Sequence, residues 1–193
     1  MGNPDKSRFI ILIPHRDTQR LLDIYRGNLF AAGYYGARSF PASAPLAAVS
    51  GPFSQEELKA LGRNMREALL RNTNGRGMIQ CKGSTTTGFG GKFTFFGPLL
   101  SISMEEGLFP GSAQNKILQI MNPPVLCAAL VEDPETAISR APEAPDMSFR
   151  AAALANLTIR ALPSGAQGYS WEWETSPLVW LPKHSGPGRK PGN

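Results

Sequence analysis

Histidine and cysteine are the residue types in shortest supply in this sequence. Its 193 residues include two histidines, His15 and His184, and two cysteines, Cys81 and Cys127. The cysteines lie far apart and form no CxxC pair, so we expect neither a disulfide framework nor a zinc site, and a reducing compartment is the simpler interpretation. From residue 16 to residue 183 there is no histidine at all, which removes the commonest general acid and base from most of the chain.

Long apolar runs are also missing. No stretch approaches the ~20 apolar residues needed to cross a bilayer, and the start MGNPDKSRF has no apolar core like that of a signal peptide. Lys6 stands where a myristoylation motif requires Ser or Thr. The acidic residues show no pairing typical of a metal site or a glycosidase. We therefore expect a soluble cytoplasmic protein with no membrane segment, metal or cofactor.

The composition is that of a globular chain with a basic balance. Hydrophobic residues make up 41% and charged residues 18%, which allows a core, while 20 glycines and 17 prolines predict many turns. The formal net charge of +5 favours an anionic partner. Part of this charge lies in the end KHSGPGRKPGN, so we expect one domain over residues 1–182 and a basic flexible tail over residues 183–193.

The first strand and helix are predicted near the start of the chain. RFIILIP (8–14) is apolar and β-branched, which indicates a buried strand. Asp17 or Thr18 should cap the helix that follows, and Gly33 should end it. One side of this helix should be formed by Leu22, Tyr25 or Arg26, Leu29 and Phe30.

A second strand and helix follow. LAAVS (46–50) predicts a strand of small residues. Ser54 and Glu57, three positions apart, form a capping box before an apolar helical stripe that NTNG ends.

The remaining chain reads mainly as strands. The loop GSTTTGFGG joins the first two of them as a hairpin with a mobile tip, because it lacks the residue order of a phosphate-binding loop. This succession of elements indicates an α+β fold. Strands are predicted at 77–82, 92–104, 124–131, 155–162 and 169–181, and a short helix capped by Ser112 at 112–121.

Several segments resemble the 2H phosphoesterases, a family that includes 2′-5′ RNA ligases and cyclic phosphodiesterases. FIILIPHRDTQRLLDIYRGNLFAAG is similar to the family's first strand and helix, and SFPASAPLAAVSGPFSQEELKAL to the segment with its first H-x-[ST]-x strand. KFTFFGPLLSISMEEGLFPG and PPVLCAALVED resemble the middle strands, and FRAAALANLTIRAL the second H-x-[ST]-x strand. The resemblance implies a two-lobed fold in which antiparallel sheets line a concave cleft, with helices outside. Strands 46–50 and 155–162 would line this cleft, related by a pseudo-twofold.

The chain departs from the family at the residues that do the chemistry. Ala44 stands at the first histidine position and Leu46 at the paired hydroxyl position. Asn156 stands at the second histidine position, whereas Thr158 is retained. The resemblance implies that one histidine takes a proton from the attacking hydroxyl or water and the other protonates the leaving oxygen. Alanine and asparagine do not titrate near pH 7, and each lost acid–base group is worth roughly 10²–10⁴ in rate, so that mechanism should be abolished.

The stretch LANLTIRA (154–161) alternates polar and apolar residues. Asn156, Thr158 and Arg160 should share one face of a strand, with Leu157 and Ile159 buried on the other. The polar face has two interpretations: it binds a phosphate through an amide, a hydroxyl and a guanidinium, or it is an exposed strand face with nothing bound.

Other residues also leave two interpretations open. His15 is either a catalytic group or a polar residue at a helix start. The aromatic residues near the end either stack bases or pack against a neighbouring lobe; they are Tyr169, Trp171, Trp173 and Trp180. Neither cysteine has a histidine partner nearby in sequence, so a thiol nucleophile has no positive evidence.

Our leading hypothesis is a catalytically degenerate 2H-phosphoesterase-like protein. Its cleft, with Ala44, Leu46, Asn156, Thr158 and Arg160, would bind a nucleotide, an RNA phosphate or a protein partner. The alternatives are a divergent phosphodiesterase or RNA-processing hydrolase that uses His15 or a thiol, and a scaffold whose cleft is filled by side chains.

Overall fold

The computed structural model describes residues 6–72, 78–90, 93–101, 109, 111–122, 124–130, 141–144, 147–161 and 171–180. The helices in these ranges are α1 (Arg16–Ala31), α2 (Gln55–Asn72) and α3 (Gly111–Gln114). The strands are β1 (Lys6–Pro14), β2 (Ala44–Val49), β3 (Met78–Gly90), β4 (Phe93–Leu100), β5 (Ile117–Ile120), β6 (Ala129–Leu130), β7 (Met147–Ala161) and β8 (Trp171–Trp180). The tail 183–193 and most of the acidic connection before β7 lie outside the described residues.

All the strand pairs in these ranges are antiparallel. The order across the sheet is β5-β2-β1-β7-β3-β4-β6, and β8 pairs with β7. The long strand β7 pairs with β3 through residues 147–150 and with β1 and β8 through its later residues. The predicted α+β class is therefore confirmed, and β1 and β7 are the central strands around which the candidate site is built.

Strand β1 is buried on both faces, and each face has its own core. Ile10 and Leu12 belong to a cluster with α1 and α2, which we call the helix-side core; its members include Leu22, Leu29, Ala44, Leu46, Leu61 and Met65. Phe9 and Ile11 belong to a second cluster, the aromatic core, with Phe40, Phe95, Cys127, Leu157 and Ile159. Such burial on both sides explains why RFIILIP is continuously apolar rather than alternating.

Aromatic edges hold the second cluster together. The rings of Phe9, Phe40 and Phe95 meet pairwise at centroid distances of 5.9, 5.6 and 4.9 Å, each close to edge-on. Edge-to-face pairs of this kind contribute roughly 0.5–1.5 kcal/mol beyond the area they bury. They fix the position of residue 40, which leads into β2.

Helix α1 begins two or three residues earlier than the sequence predicts. His15 is its N-cap, not Asp17 or Thr18, and the His15 side chain accepts a hydrogen bond from the Asp17 backbone N–H. The predicted stop is confirmed, since Gly33 follows the helix with a φ of +96°. The predicted apolar side is correct except at Phe30, which is 50% exposed because it lies beyond the buried arc.

The capping box at the start of α2 is confirmed. The backbone N–H of Ser54 donates to the Glu57 carboxylate at 2.6 Å, and the Glu57 N–H donates to the Ser54 hydroxyl at 3.2 Å. Lys116 Nζ lies 2.6 Å from Glu57 Oε2 and also donates to the Pro52 carbonyl at 3.0 Å. The start of α2 is thereby fastened to the segment that enters β5.

Three predictions in the second half need correction. The helix predicted at 112–121 is limited to α3, and Ile117–Ile120 form β5 because pairing with β2 outweighs local helix propensity. The glycine-rich loop is mostly strand, since β3 continues to Gly90 and pairs with β4. In the predicted strand 124–131 only Ala129–Leu130 form β6.

The irregular path of residues 124–128 follows from its close approach to β4. A Cβ at Gly97 would lie 1.8 Å from the Leu126 carbonyl oxygen, which no side chain can occupy. The Leu126 N–H donates to the Pro98 carbonyl at 2.9 Å, and the Ala128 N–H donates to the Phe96 carbonyl at 2.8 Å. The segment is therefore hydrogen-bonded to β4 without regular ladder geometry.

Candidate functional site

The two strands predicted to contain the family motifs lie on either side of β1. Leu12 pairs with Ala44 on β2 and with Leu154 on β7, and Ile10 pairs with Asn156 on β7. Residues directly opposite each other in an antiparallel pair point to the same face. The two positions that would hold histidines in the family, Ala44 and Asn156, therefore share the face of the helix-side core.

The first motif lies inside the core. Ala44 and Leu46 are both 0% exposed and pack in the helix-side core. The register of β2 against β1 shifts around Leu46, where a β-bulge adds one residue. A ligand approaching from solvent does not reach either side chain, so these two residues of the predicted cleft act in packing.

The second motif is half-buried. Asn156 and Thr158 are partly exposed, whereas Leu157 and Ile159 are 0% and 2% exposed in the aromatic core, as the alternation predicts. Asn156 Oδ1 is buried and has no hydrogen-bond partner among the described residues. No hydrogen bond to this oxygen within the described residues therefore accounts for a polar side chain at this position.

Two acidic residues of β8 are paired with the residues of β7 that are predicted to bind phosphate. On β8, Glu174 pairs with Thr158, and Glu172 pairs with Arg160. Both glutamates are exposed, and opposite charges at directly paired positions attract each other. The side chain of Arg160 lies outside what the structure describes. An anion on this face would lie beside two carboxylates, which reduces the electrostatic attraction that the guanidinium supplies.

The His15 side chain caps the start of α1. Its Nδ1 accepts from the Asp17 N–H at 3.4 Å and lies 3.3 Å from Asp17 Oδ2. The side chain is 43% exposed. Both contacts are with Asp17, two positions further along the chain, so the geometry is that of a helix cap.

Both thiols are buried and protonated. Burial raises the pKa of Cys81 and that of Cys127 to about 12 in each case. The neighbouring Arg26 lowers the Cys127 pKa, but this effect is smaller than that of burial. The thiolate is the nucleophilic form, so neither cysteine is activated at neutral pH.

A pocket of about 290 Å³ opens on the opposite face of β7 from Asn156 and Thr158. We call it the α1–β8 pocket. Trp173 and Thr175 of β8 pair with Ile159 and Leu157, so their side chains share the face of the aromatic core. The apolar wall of the pocket is formed by Ile11, Ile13, Pro41, Ala42 and the Trp173 indole.

Polar groups of α1 complete the pocket. Gln19 and Asp23, four positions apart on one side of the helix, line it together with the Thr175 hydroxyl. The indole of Trp173 is 41% exposed and the Asp23 side chain 58% exposed, so both are accessible from solvent. The pocket thus combines an aromatic surface, one carboxylate, one amide and one hydroxyl.

A buried arginine, Arg26, lies next to Asp23. Arg26 is 4% exposed, its Nη2 donates to the Phe40 carbonyl, and its Nη1 lies 3.8 Å from Asp23 Oδ1. Burial lowers the pKa of Arg26, while Cys127 and Asp23 act in the opposite direction. Arg26 Nε is buried without a partner among the described residues. The distance to Asp23 exceeds that of a hydrogen bond, so Arg26 does not use up the hydrogen-bonding capacity of the carboxylate.

Sequence reasoning did not find this pocket. The sequence indicates that Trp173 either stacks or packs, but its convergence with Gln19 and Asp23 joins residues about 150 positions apart. The spacing of Gln19 and Asp23 on one helix side was the local signal that was available. The other aromatic side chains considered with it, those of Tyr169, Trp171 and Trp180, lie outside the described side chains.

Comparison with known proteins finds no matching family model, no matching curated protein and no matching solved structure.

Two further predicted features concern membranes and metals. None of the described helices is long and apolar enough to cross a membrane. Within the same residues, no group of three or more histidine, cysteine, aspartate and glutamate side chains is placed to hold a metal ion.

Proposed function

We propose that this protein is a non-catalytic binding protein with a two-lobed 2H-phosphoesterase-like fold. The observation that supports this most directly is the pair of positions beside β1. Ala44 is enclosed in the helix-side core and Asn156 offers only an amide, so neither of these two positions holds a group that transfers a proton near pH 7.

The alternative catalytic groups do not replace them. His15 Nδ1 caps α1, and burial raises the pKa of both thiols so that they stay protonated. General acid–base or nucleophilic catalysis needs a titratable or activated group within hydrogen-bond reach of a substrate. These contacts favour binding without turnover over a divergent hydrolase.

The ligand that the resemblance implies is a nucleotide or RNA phosphate on the polar face of β7. Asn156 supplies an amide whose buried oxygen accepts no hydrogen bond within the described part of the chain, and Thr158 supplies a half-exposed hydroxyl. Arg160 would add a charge-assisted contact, which is the strongest of the three. Glu172 and Glu174 compete for that charge, so the affinity for phosphate should be modest and sensitive to salt.

The test is an equilibrium titration with a 2′,3′-cyclic nucleotide and with a 3′-phosphorylated oligonucleotide. Arg160→Ala should weaken binding about tenfold, and Glu172→Gln, at the paired position, should strengthen it a few-fold. Thr158→Ala should have a smaller effect. The recovered ligand should be chemically unchanged. Equal affinities of wild type and Arg160→Ala, or no binding of any phosphate ligand, would leave the β7 face as a relic.

A second candidate function is protein interaction, favoured by exposed apolar side chains on and after α1. Leu21 and Ile24 are neighbours on one helix face and are 43% and 64% exposed. Phe30 and Tyr35, 50% and 75% exposed, meet edge-on at 5.5 Å between ring centroids. If the Leu21–Ile24 side of α1 binds a second copy of the chain, sedimentation should show concentration-dependent association that Ile24→Glu removes. A monomer at all concentrations would speak against self-association.

A further inference from the structure

We propose that the α1–β8 pocket binds a small organic cation, with a guanidinium, amidinium or ammonium group carried on an apolar body. The pocket lies on the opposite face of β7 from Asn156 and Thr158. The proposal therefore goes beyond phosphate binding at β7 and does not depend on it.

The charge of the pocket lining selects the sign of the ligand. Asp23 is the ionisable side chain that lines the pocket, and it lies next to an apolar wall that ends in the Trp173 indole. A cation is attracted both by a carboxylate and by the face of an indole, whereas an anion is repelled by both. Gln19 and Thr175 add neutral acceptors for the remaining N–H groups of such a ligand.

Arg26 does not fill the role of the ligand cation. Its Nη1 is 3.8 Å from Asp23 Oδ1, its Nη2 is committed to the Phe40 carbonyl, and the guanidinium is 4% exposed. It therefore stands behind the carboxylate, inside the protein, and leaves the solvent side of Asp23 open. A ligand cation can form the shorter hydrogen bond that Arg26 does not make.

The size of the pocket restricts the body of the ligand. A volume of about 290 Å³ lies at the lower limit of small-molecule sites, which start at roughly 300 Å³. One aromatic ring or a short alkyl chain with a charged end fits this space. Ile11, Ile13 and Pro41 would bury the ring or chain, and the charged end would lie between Trp173 and Asp23.

The experiment uses three ligands of nearly the same shape and different charge: benzamidine, benzamide and benzoate. Binding to the full-length protein is measured by isothermal titration calorimetry. Benzamidine should bind about tenfold more tightly than benzamide, and benzoate should show no binding. Equal affinities for the three ligands, or no binding of benzamidine at millimolar concentration, would overturn the proposal.

Variants locate the site. Asp23→Asn should weaken benzamidine binding about tenfold and reduce its preference over benzamide, and Trp173→Leu should weaken it about fivefold. The matched control is Glu174→Gln, which also removes one negative charge. Glu174 lies between Trp173 and Thr175 in the sequence, so its side chain is on the other face of β8 from the pocket. It should leave affinity within about twofold. A loss in Glu174→Gln as large as that in Asp23→Asn would show a long-range charge effect and overturn the site.

A folding control and a source control complete the test. Asp23→Glu keeps the charge, so it should retain most of the affinity if Asp23→Asn acts through charge; loss in both with unchanged circular dichroism would contradict a carboxylate contact. N-acetyl-arginine methylamide and free agmatine then distinguish an arginine side chain within a partner's chain from a free small guanidinium compound. Binding of either supports the cation site, and binding of neither, alongside no binding of benzamidine, rejects it.

Discussion

Asn156 on β7 lies directly opposite Ile10 on β1, with its amide oxygen buried and without a hydrogen-bond partner among the described residues. The next residue along the strand, Leu157, points to the other face. Thr158 lies on the same face as Asn156 and is partly exposed. The amide therefore stands where an apolar core meets a polar strand surface. A buried acceptor in such a place is costly unless something donates to it.

This gives the first prediction. Asn156→Val should raise the free energy of unfolding by about 1 kcal/mol, because it removes an unsatisfied buried acceptor and places a β-branched residue in a strand. Chemical denaturation of the purified protein measures this change. Thr158→Val, at a half-exposed position on the same face, is the control and should change stability by less. A loss of stability in Asn156→Val would mean that the amide has a donor in the folded protein.

The second prediction concerns the close approach of the 124–128 segment to β4. A side chain at Gly97 would meet the Leu126 carbonyl, so Gly97→Ala should destabilise the protein by several kcal/mol or prevent folding, in the range of about 2–5 kcal/mol for severe overpacking. Gly111→Ala is the matched control, because nothing lies within 4 Å of the added carbon. Similar melting temperatures for the two variants would contradict the close approach.

The third prediction is a pH dependence that involves Glu57. The hydrogen bond from Lys116, followed by that from the Ser54 backbone, lowers the pKa of Glu57. A carboxylate with a lowered folded-state pKa contributes stability above its unfolded-state pKa, and this contribution disappears as the pH falls through the folded-state value. Glu57→Gln should therefore lower the melting temperature at pH 7 and lose less stability than wild type below about pH 4.5. Parallel wild-type and Glu57→Gln curves from pH 7 to pH 3 would be inconsistent with this pair.

The fourth prediction tests the thiols. Because burial raises the pKa of Cys81 and Cys127 to about 12, both should react slowly with a thiol reagent at pH 8 in the native protein. The unfolded protein should react at the ordinary rate of free cysteine. Rapid labelling of one cysteine under native conditions would revive the thiol-nucleophile alternative.

Local patterns in the sequence predicted the elements whose signals are complete within a few residues. The apolar run 8–14, the capping box of Ser54 and Glu57 and the alternation around Leu157 all correspond to what the structure has. Each of them depends on neighbours along the chain, so a short window contains the whole signal.

The features that local patterns do not predict have a different physical origin. Ile117–Ile120 form a strand because β2 offers partners about 70 residues away, and Ala44 is a core residue because α1 and α2 cover it. The α1–β8 pocket requires Asp23, Pro41 and Trp173 to meet in space. None of these relationships has a counterpart in local spacing, so a single sequence does not reveal them.

The measurement that tests the central claim most directly is turnover of a 2′,3′-cyclic nucleotide by the purified full-length protein, at protein concentrations above those of the substrate. Because Ala44 and Asn156 stand where the proposed family has its histidines, we predict no product above the buffer rate for wild type and for His15→Ala. Product formed by wild type and lost in His15→Ala would contradict the account and assign catalysis to His15. Turnover that survives this change would require a catalytic group elsewhere in the chain.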